Sequence, residues 1–272
     1  MNHSRQGKSG APRARPAGGP ASSRDGPGAR PGPHQPVWLY GRHAVAAALA
    51  NPARRIRRVA ATKNARDWLE KNGADANALA RLEDARPDAI DRLLHAGAVH
   101  QGLAAQVDEL PRARLKDACA PAEPGRPVVI LDQITDPQNI GALFRSAAAF
   151  GARAVIVQDR KTPPLSGALA KAAAGAVETI PCVRVVNIAR AMEGLQGLGY
   201  FCAGLAGEAQ DDITALPAAP LALVMGAEGA GLRQLVGETC DGLFRIPIEP
   251  GMESLNVSNA AAISLYEARR AR

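Results

Sequence analysis

The chain has 272 residues, a length that allows two modest domains, each with a hydrophobic core of its own. Its four cysteines are far apart and form no C-x-x-C pair, which argues against a disulfide framework and against a zinc site, so we predict no bound metal. No apolar run approaches the ~20 residues of a membrane span, and we expect a cytoplasmic protein without a membrane partner. The net charge of +7 favours a polyanionic partner.

Much of the positive charge is at the N-terminus. Residues 1–36 contain six Lys or Arg and a single acid, and fourteen of these 36 residues are Gly or Pro. Such a segment cannot bury a core, so the composition predicts a disordered basic tail. Two roles remain open for it, namely improved solubility or attraction of nucleic acid through its phosphates.

A small α/β domain is predicted for residues 37–112. An apolar start, a glycine and an alanine-rich helical pattern come first, and the predicted strands and helices that follow are strand 56–60, helix 65–72, helix 89–96 and strand 103–107. Proline and charge then interrupt every periodic pattern, which predicts a linker at residues 113–126.

Residues 127–272 alternate short apolar runs with helical patterns. The predicted strands are 128–131, 154–157, 179–183, 200–205, 221–225 and 243–246. The predicted helices between them are 139–150, 166–175, 187–198 and 229–237. This order predicts a mostly parallel sheet covered on both faces. A Rossmann dehydrogenase would share the pattern, but no G-x-G-x-x-G follows the first strand.

Three polar motifs follow strands of this second domain, and the first begins at Asp136. Asp136 is a predicted N-cap, with Pro137 at the first helical position. Arg145 lies opposite the apolar stripe of the helix. Gly141 is one turn before Arg145, and we expect it to leave open space beneath the guanidinium.

The second motif is the loop from Gly226 to Gly231 around Glu228, whose glycines are expected to let the backbone approach a ligand closely. The third motif places Ser254 and Asn256 just before a C-terminal helix, where helix capping is an alternative explanation for both residues. The buried face of that helix is predicted to consist of Val257, Ala261, Leu265 and Ala268. Because the carboxyl ends of parallel strands meet at one edge, we expect these motifs to form one site.

In order and spacing, the three motifs resemble those of the SPOUT superfamily of knotted RNA methyltransferases, and within it the TrmH/SpoU ribose 2′-O-methyltransferases. The Gly-Arg-His opening at 41–43 and His100-Gln-Gly102 resemble the ribosomal-protein-L30e-like substrate-binding domain of family members that act on rRNA. The resemblance implies an α/β catalytic domain with a mostly parallel sheet and a deep trefoil knot. It also implies S-adenosyl-L-methionine as cofactor and a homodimer whose active site is completed across the two subunits.

The resemblance assigns roles to individual residues. The positions that match catalytic or substrate-orienting residues of the family are Asn139, Arg145, Glu228, Ser254 and Asn256. The positions that match cofactor-binding residues are Leu205, Ala206, Met225, Gly226, Gly229, Ile246, Ile248, Met252 and Leu255. Ordinary core packing at strand ends is the alternative explanation for Ile246 and Leu255.

Arg145 is the first candidate for catalysis, by positioning the ribose and stabilising the developing alkoxide. All five histidines precede residue 127, so the catalytic domain supplies no imidazole base within one subunit and the proton acceptor stays open.

The expected activity is therefore methylation of a ribose 2′-hydroxyl in RNA, with a guanosine of 23S rRNA as the expected target. Beside such an enzyme, an arginine-rich stretch of the first domain is predicted to contact RNA, although a solvated face is the simpler explanation of such a run. The predicted RNA-binding residues are Arg42, Arg54, Arg55, Arg57 and Arg58. A tRNA guanosine 2′-O-methyltransferase is the nearer alternative, and a non-catalytic RNA-binding protein on the same fold is the farther one.

Overall fold

The computed structural model describes Met1 and residues 36–270, which contain two β-sheets and a connecting segment between them. The basic tail predicted for residues 1–36 lies, apart from its two end residues, outside the described part of the chain.

The first domain is a four-stranded sheet with short helices. Its elements are β1 (Val37–Tyr40), α1 (Arg42–Ala50), β2 (Ile56–Ala61), α2 (Lys63–Lys71), α3 (Ala76–Ala80), β3 (Leu82–Asp84), α4 (Pro87–Asp91) and β4 (Leu103–Val107). The strand order is β1-β4-β2-β3, in which β4 is antiparallel to both neighbours and β3 is parallel to β2. The predicted strands are confirmed, whereas α3 and β3 were not predicted because each is too short to show a periodic pattern.

The connecting segment contains a short helix, α5 (Leu115–Cys119), and it packs against the second domain. Cys119 is fully buried, and its carbonyl oxygen accepts a 2.7 Å hydrogen bond from the hydroxyl of Tyr200. Arg153 donates to the carbonyl oxygens of Ala118 and Ala120. The prolines of the predicted linker therefore limit the length of its helix without separating it from the domain that follows.

The second domain has a seven-stranded sheet. Its elements are β5 (Val128–Leu131), α6 (Pro137–Ala149), β6 (Ala154–Gln158), α7 (Gly167–Ala172), β7 (Cys182–Val185), α8 (Ile188–Gln196), β8 (Phe201–Leu205), β9 (Asp211–Asp212), β10 (Leu221–Met225), α9 (Gln234–Thr239), β11 (Gly242–Arg245) and α10 (Val257–Arg270). The strand order is β7-β6-β5-β10-β8-β11-β9, and every neighbouring pair is parallel. This confirms the predicted sheet, while the trefoil knot stays a prediction.

The interior strand β5 contributes to both faces of the sheet. Val129 and Leu131 pack in the cluster that includes α6, α7 and α10, whereas Val128 and Ile130 pack with α8 and α9. All four side chains are buried, as the apolar run predicts for a strand covered on both sides. The first domain packs on the α6–α7 side, because residues of β1, α1 and β2 belong to the same hydrophobic cluster.

Candidate active site

A cavity of about 410 Å³ lies at the carboxyl ends of β8, β10 and β11. This is the edge of a parallel sheet at which ligands are usually bound. The predicted cofactor residues that line the cavity are Leu205, Ala206, Met225, Gly226, Gly229, Ile246, Ile248 and Leu255. Met252 does not line it and is 63% exposed.

The loop after β10 forms one wall of this cavity, and Gly226 is packed tightly against the far end of the loop. A Cβ atom at Gly226 would lie 2.5 Å from the backbone nitrogen of Leu232 and closer still to the backbone of Gly231. Gly226 is therefore required for the loop to close on itself through the bridge between Ala227 and Gly231. Gly229, by contrast, has a φ of +76°, and a Cβ atom added there would meet no other part of the described chain within 4 Å.

Three polar side chains from distant parts of the chain meet beside the cavity. Asn139 Nδ2 donates to Glu228 Oε1 at 3.1 Å. Asn256 Nδ2 donates to Glu228 Oε1 and to Asn139 Oδ1, at 2.9 Å in each case. The backbone N–H of Val257 also donates to Glu228 Oε1, at 3.3 Å. The predicted meeting of the three motifs is confirmed for these side chains.

The hydrogen bonds fix the orientation of each member of this polar cluster, Asn139, Glu228 and Asn256. Asn256 Oδ1 accepts from the backbone N–H of Ser258 at 3.0 Å, so Asn256 also caps α10. One carboxylate oxygen of Glu228 accepts three N–H groups, and within residues 36–270 the other oxygen, Oε2, accepts none. The cluster therefore presents one unpaired carboxylate oxygen at a fixed position.

Ser254 lines the cavity, but its hydroxyl makes no side-chain hydrogen bond to the described residues. Helix capping was the alternative explanation for Ser254 as well as for Asn256. For Ser254 no hydrogen bond supports it. The helix itself is as predicted, with Val257, Ala261, Leu265 and Ala268 buried.

Arg145 lies outside this cluster within a single chain. It is six residues beyond Asn139 on α6, which places it about 120° away around the helix axis. The side chain is exposed, and in the described part of the chain it has no hydrogen-bonding or ion-pair partner. The expected capping at the start of α6 is confirmed, since Asp136 Oδ2 accepts from the Asn139 N–H at 2.7 Å.

The prediction that Gly141 leaves open space beneath Arg145 is wrong. Gly141 is buried, and a Cβ atom there would lie 2.6 Å from the Cβ of Ala172 and nearer still to the carbonyl oxygen of Leu169. Gly141 is on the face of α6 that packs against α7, so its missing side chain permits the close approach of these two helices.

Arg54 is also placed differently from the prediction. Its side chain is 1% exposed and forms an ion pair of 2.6 Å with Glu178, which is equally buried. Asn51 Nδ2 donates to the same carboxylate at 2.9 Å. Since Glu178 belongs to the second domain, this buried pair connects the two domains, and Arg54 is unavailable to a phosphate.

The other predicted RNA-binding arginines are accessible. Arg55 is 83% exposed, and Arg57 is half-exposed with Asp108 as its partner. Arg58 pairs with Glu83 at 2.6 Å. The guanidinium of Arg42 lies 5.6 Å from the ring centroid of Trp68, a cation–π distance.

Sequence reasoning missed a buried carboxylate beside the site. Asp132 follows β5 directly, is 0% exposed, and pairs with Arg233 at 2.6 Å. An aspartate directly after a buried strand was the available signal, but nothing near it in the sequence indicated its partner.

The thiols are poor candidates for nucleophiles. Burial raises the pKa of Cys202 and of Cys240 to about 12 and that of Cys119 and Cys182 to about 11, and all four cysteines are free. The thiol form therefore predominates at neutral pH.

Comparison with known families gives two matches. The model described as the RNA 2′-O ribose methyltransferase substrate binding domain matches residues 38–113, and that described as the SpoU rRNA methylase family matches residues 126–266. The chain belongs to the SpoU rRNA methylase family. The predicted family is thereby confirmed.

Relatives of the SpoU family cover most of the chain. The 23S rRNA (guanosine-2′-O-)-methyltransferase RlmB of Vibrio cholerae serotype O1 is 42% identical over 243 residues, which are 86% of this chain and 96% of the relative. The protein of the same name from Ralstonia nicotianae is 40% identical over 238 residues, which are 86% and 95% of the two chains. The solved structure of the SpoU methyltransferase AviRb from Streptomyces viridochromogenes has the same fold, with a TM-score of 0.70 at 23% identity over 86% of this chain and 89% of AviRb.

Proposed function

We propose that this protein transfers the methyl group of S-adenosyl-L-methionine to the ribose 2′-hydroxyl of a guanosine in 23S rRNA. The observation that carries the proposal is the polar cluster of Asn139, Glu228 and Asn256 at the rim of a cavity lined by the predicted cofactor positions. Relatives about 40% identical over almost their whole length bear the name of this activity.

The cavity has the size and chemistry that the cofactor requires. Its volume of about 410 Å³ is in the ~300–1,000 Å³ range of small-molecule sites. Aliphatic side chains and loop backbone suit the adenosine part, and the carboxylates of Glu208 and Glu253, which also line the cavity, suit a ligand with a sulfonium and an ammonium group. When bound, this cofactor supplies an already activated methyl group, so the protein needs to supply only position and electrostatics.

Arg145 is proposed to act across a homodimer. Arg145 lies on a different face of α6 from Asn139, and it has no partner among the described residues. Both features fit a guanidinium that reaches the site of a second subunit. A planar guanidinium can contact ribose and phosphate together and stabilise charge on the ribose oxygen. Exposed apolar side chains on α10 and near the cavity offer a surface for the second subunit, namely Ile248, Met252, Ile263 and Tyr266.

RNA is proposed to bind the first domain and the adjacent junction. Four of the predicted RNA-binding arginines remain candidates for phosphate contacts, since only Arg54 is excluded by its burial. They are Arg42, Arg55, Arg57 and Arg58. Lys171 of α7 adds a cation at the junction, where its side chain lies beside Gly41, and it has no ion-pair partner among residues 36–270.

A cytoplasmic location is proposed, where rRNA would be accessible. Of the helices in the described residues, none has the length and apolar character needed to cross a bilayer.

The test combines a deletion strain with the purified protein. Ribose methylation should be mapped at nucleotide resolution on 23S rRNA and tRNA from strains with and without the gene. We expect one guanosine of 23S rRNA to lose its methyl group and to regain it on incubation with protein and S-adenosyl-L-methionine. A lost methyl group on tRNA alone would support the tRNA enzyme, and no lost methyl group with retained RNA binding would support the non-catalytic protein.

A further inference from the structure

Asp132 and Arg233 form an ion pair in which the carboxylate is buried and the guanidinium is partly exposed. Arg233 Nε donates to the two carboxylate oxygens of Asp132 at 2.9 and 3.1 Å, and Nη2 lies 2.6 Å from Oδ1. The backbone N–H of Arg233 donates to Oδ2 at 3.1 Å. Asp132 is 0% exposed and Arg233 is 42% exposed, so the carboxylate depends on this one residue for its charge compensation.

The pair joins two loops that both lead into the active site. Asp132 begins the loop from β5 to α6, which brings Asn139 to the polar cluster. Arg233 directly follows loop 226–232, which lines the cavity and carries Glu228. The hydrogen bond between Asn139, at the start of α6, and Glu228 forms a second connection between these two segments.

Loop 226–232 is also held by Glu228, which accepts hydrogen bonds from Asn139 and Asn256, and by Leu232, which packs against the core. Its internal backbone hydrogen bonds join Ala227 with Gly231 and Ala230 with Glu228. Gly229 and Gly231 have φ values of +76° and +64°, and both are exposed. Such a segment loses much conformational entropy when it becomes ordered, so fixed ends matter for its position.

We propose that Asp132 and Arg233 are positioning residues for the cofactor cavity. By holding the end of loop 226–232 against the end of β5, they keep Glu228 and the loop backbone in place for the methyl donor. Neither residue lines the cavity, so their effect passes through the loop. The inference rests on the proposed function, because it takes this cavity as the S-adenosyl-L-methionine site.

The test compares cofactor affinity with stability in matched variants. Arg233→Met and Arg54→Met each leave a buried carboxylate without its arginine, and both should lose stability to urea. Only Arg233→Met should weaken the binding of S-adenosyl-L-methionine in calorimetry, by about 10-fold or more, a factor that corresponds to ~1.4 kcal/mol. Arg233→Lys should lie between the wild type and Arg233→Met, because a point charge replaces the fork of donors.

If Arg233→Met does not fold, the double variant Asp132→Asn/Arg233→Met removes both charges and is measured in its place. A cofactor Kd within twofold of the wild-type value in the folded variant overturns the proposal. An unchanged cofactor Kd with a raised KM for RNA also overturns it, since Arg233 would then act on the substrate. A wild-type protein that binds no S-adenosyl-L-methionine would refute the proposed function itself, a result distinct from equal binding by wild type and variant.

Discussion

Replacement of Gly141 by alanine tests the packing that carries the catalytic helix. In a helix interior, Gly→Ala normally stabilises by about 1 kcal/mol. At Gly141 the new Cβ would lie 2.6 Å from the Cβ of Ala172, roughly 1 Å inside the usual ~3.5–4.0 Å separation of carbon atoms. The carbonyl oxygen of Leu169, which is nearer still, is backbone and cannot rotate away.

Overpacking of this kind costs about 1–3 kcal/mol, and contact with backbone favours the upper part of that range. The helix-propensity gain offsets only part of it, so Gly141→Ala should lower the free energy of unfolding by about 1–2 kcal/mol. Turnover should fall as well, because α6 carries Asn139 and Arg145.

Gly194 provides a matched control in α8. A Cβ atom there would meet Leu115 Cδ2 at 3.6 Å, an ordinary contact, so Gly194→Ala should stabilise by about 1 kcal/mol. Equilibrium urea denaturation followed by circular dichroism measures both variants under one set of conditions. Equal stability of the two variants would refute the close packing of α6 against α7.

Three further predictions concern the subunits, the tail and the thiols. Mixed Arg145→Ala and Glu228→Ala subunits should recover activity if Arg145 acts across the dimer, whereas inactive mixtures with heterodimers proven by mass spectrometry would place both residues in one subunit. Deletion of residues 1–36 should weaken RNA binding and reduce its log–log salt slope by about one unit per lost phosphate contact, and a shifted methylation position would contradict a purely electrostatic tail. Stability should fall as the pH rises above ~9, because unfolded thiols ionise near ~8.5 while the folded thiols keep their protons up to a pKa of about 11 to 12. Cys202→Ser should reduce that fall, and an unchanged pH slope would argue against the buried thiol as its cause.

The sequence alone determined most of the second domain. β5 and β10 have the predicted bounds, because a short apolar run between polar residues is a local signal of a strand buried on both faces. The start of α6 was also predictable from a local signal, since the carboxylate of Asp136 accepts a hydrogen bond from a backbone N–H only three residues away.

The site was predictable as a set of strand ends, but its hydrogen bonds were not. Asn139 and Glu228 are separated by 89 positions, and only the parallel register of β5 beside β10 brings them to a distance of 3.1 Å. The sequence could therefore indicate which residues meet, while the donor and acceptor roles required the folded chain.

Only the tertiary structure decided the roles of Arg54, Gly141 and Asp132. Within its arginine-rich run Arg54 looks like a solvated cation, but it is buried against Glu178, 124 positions away. Gly141 was predicted to leave free space, and the approach of α7 fills that space. Asp132 is paired across 101 positions with Arg233. In each case the local pattern defines the face on which a residue lies, whereas burial and charge compensation depend on which distant segment packs there.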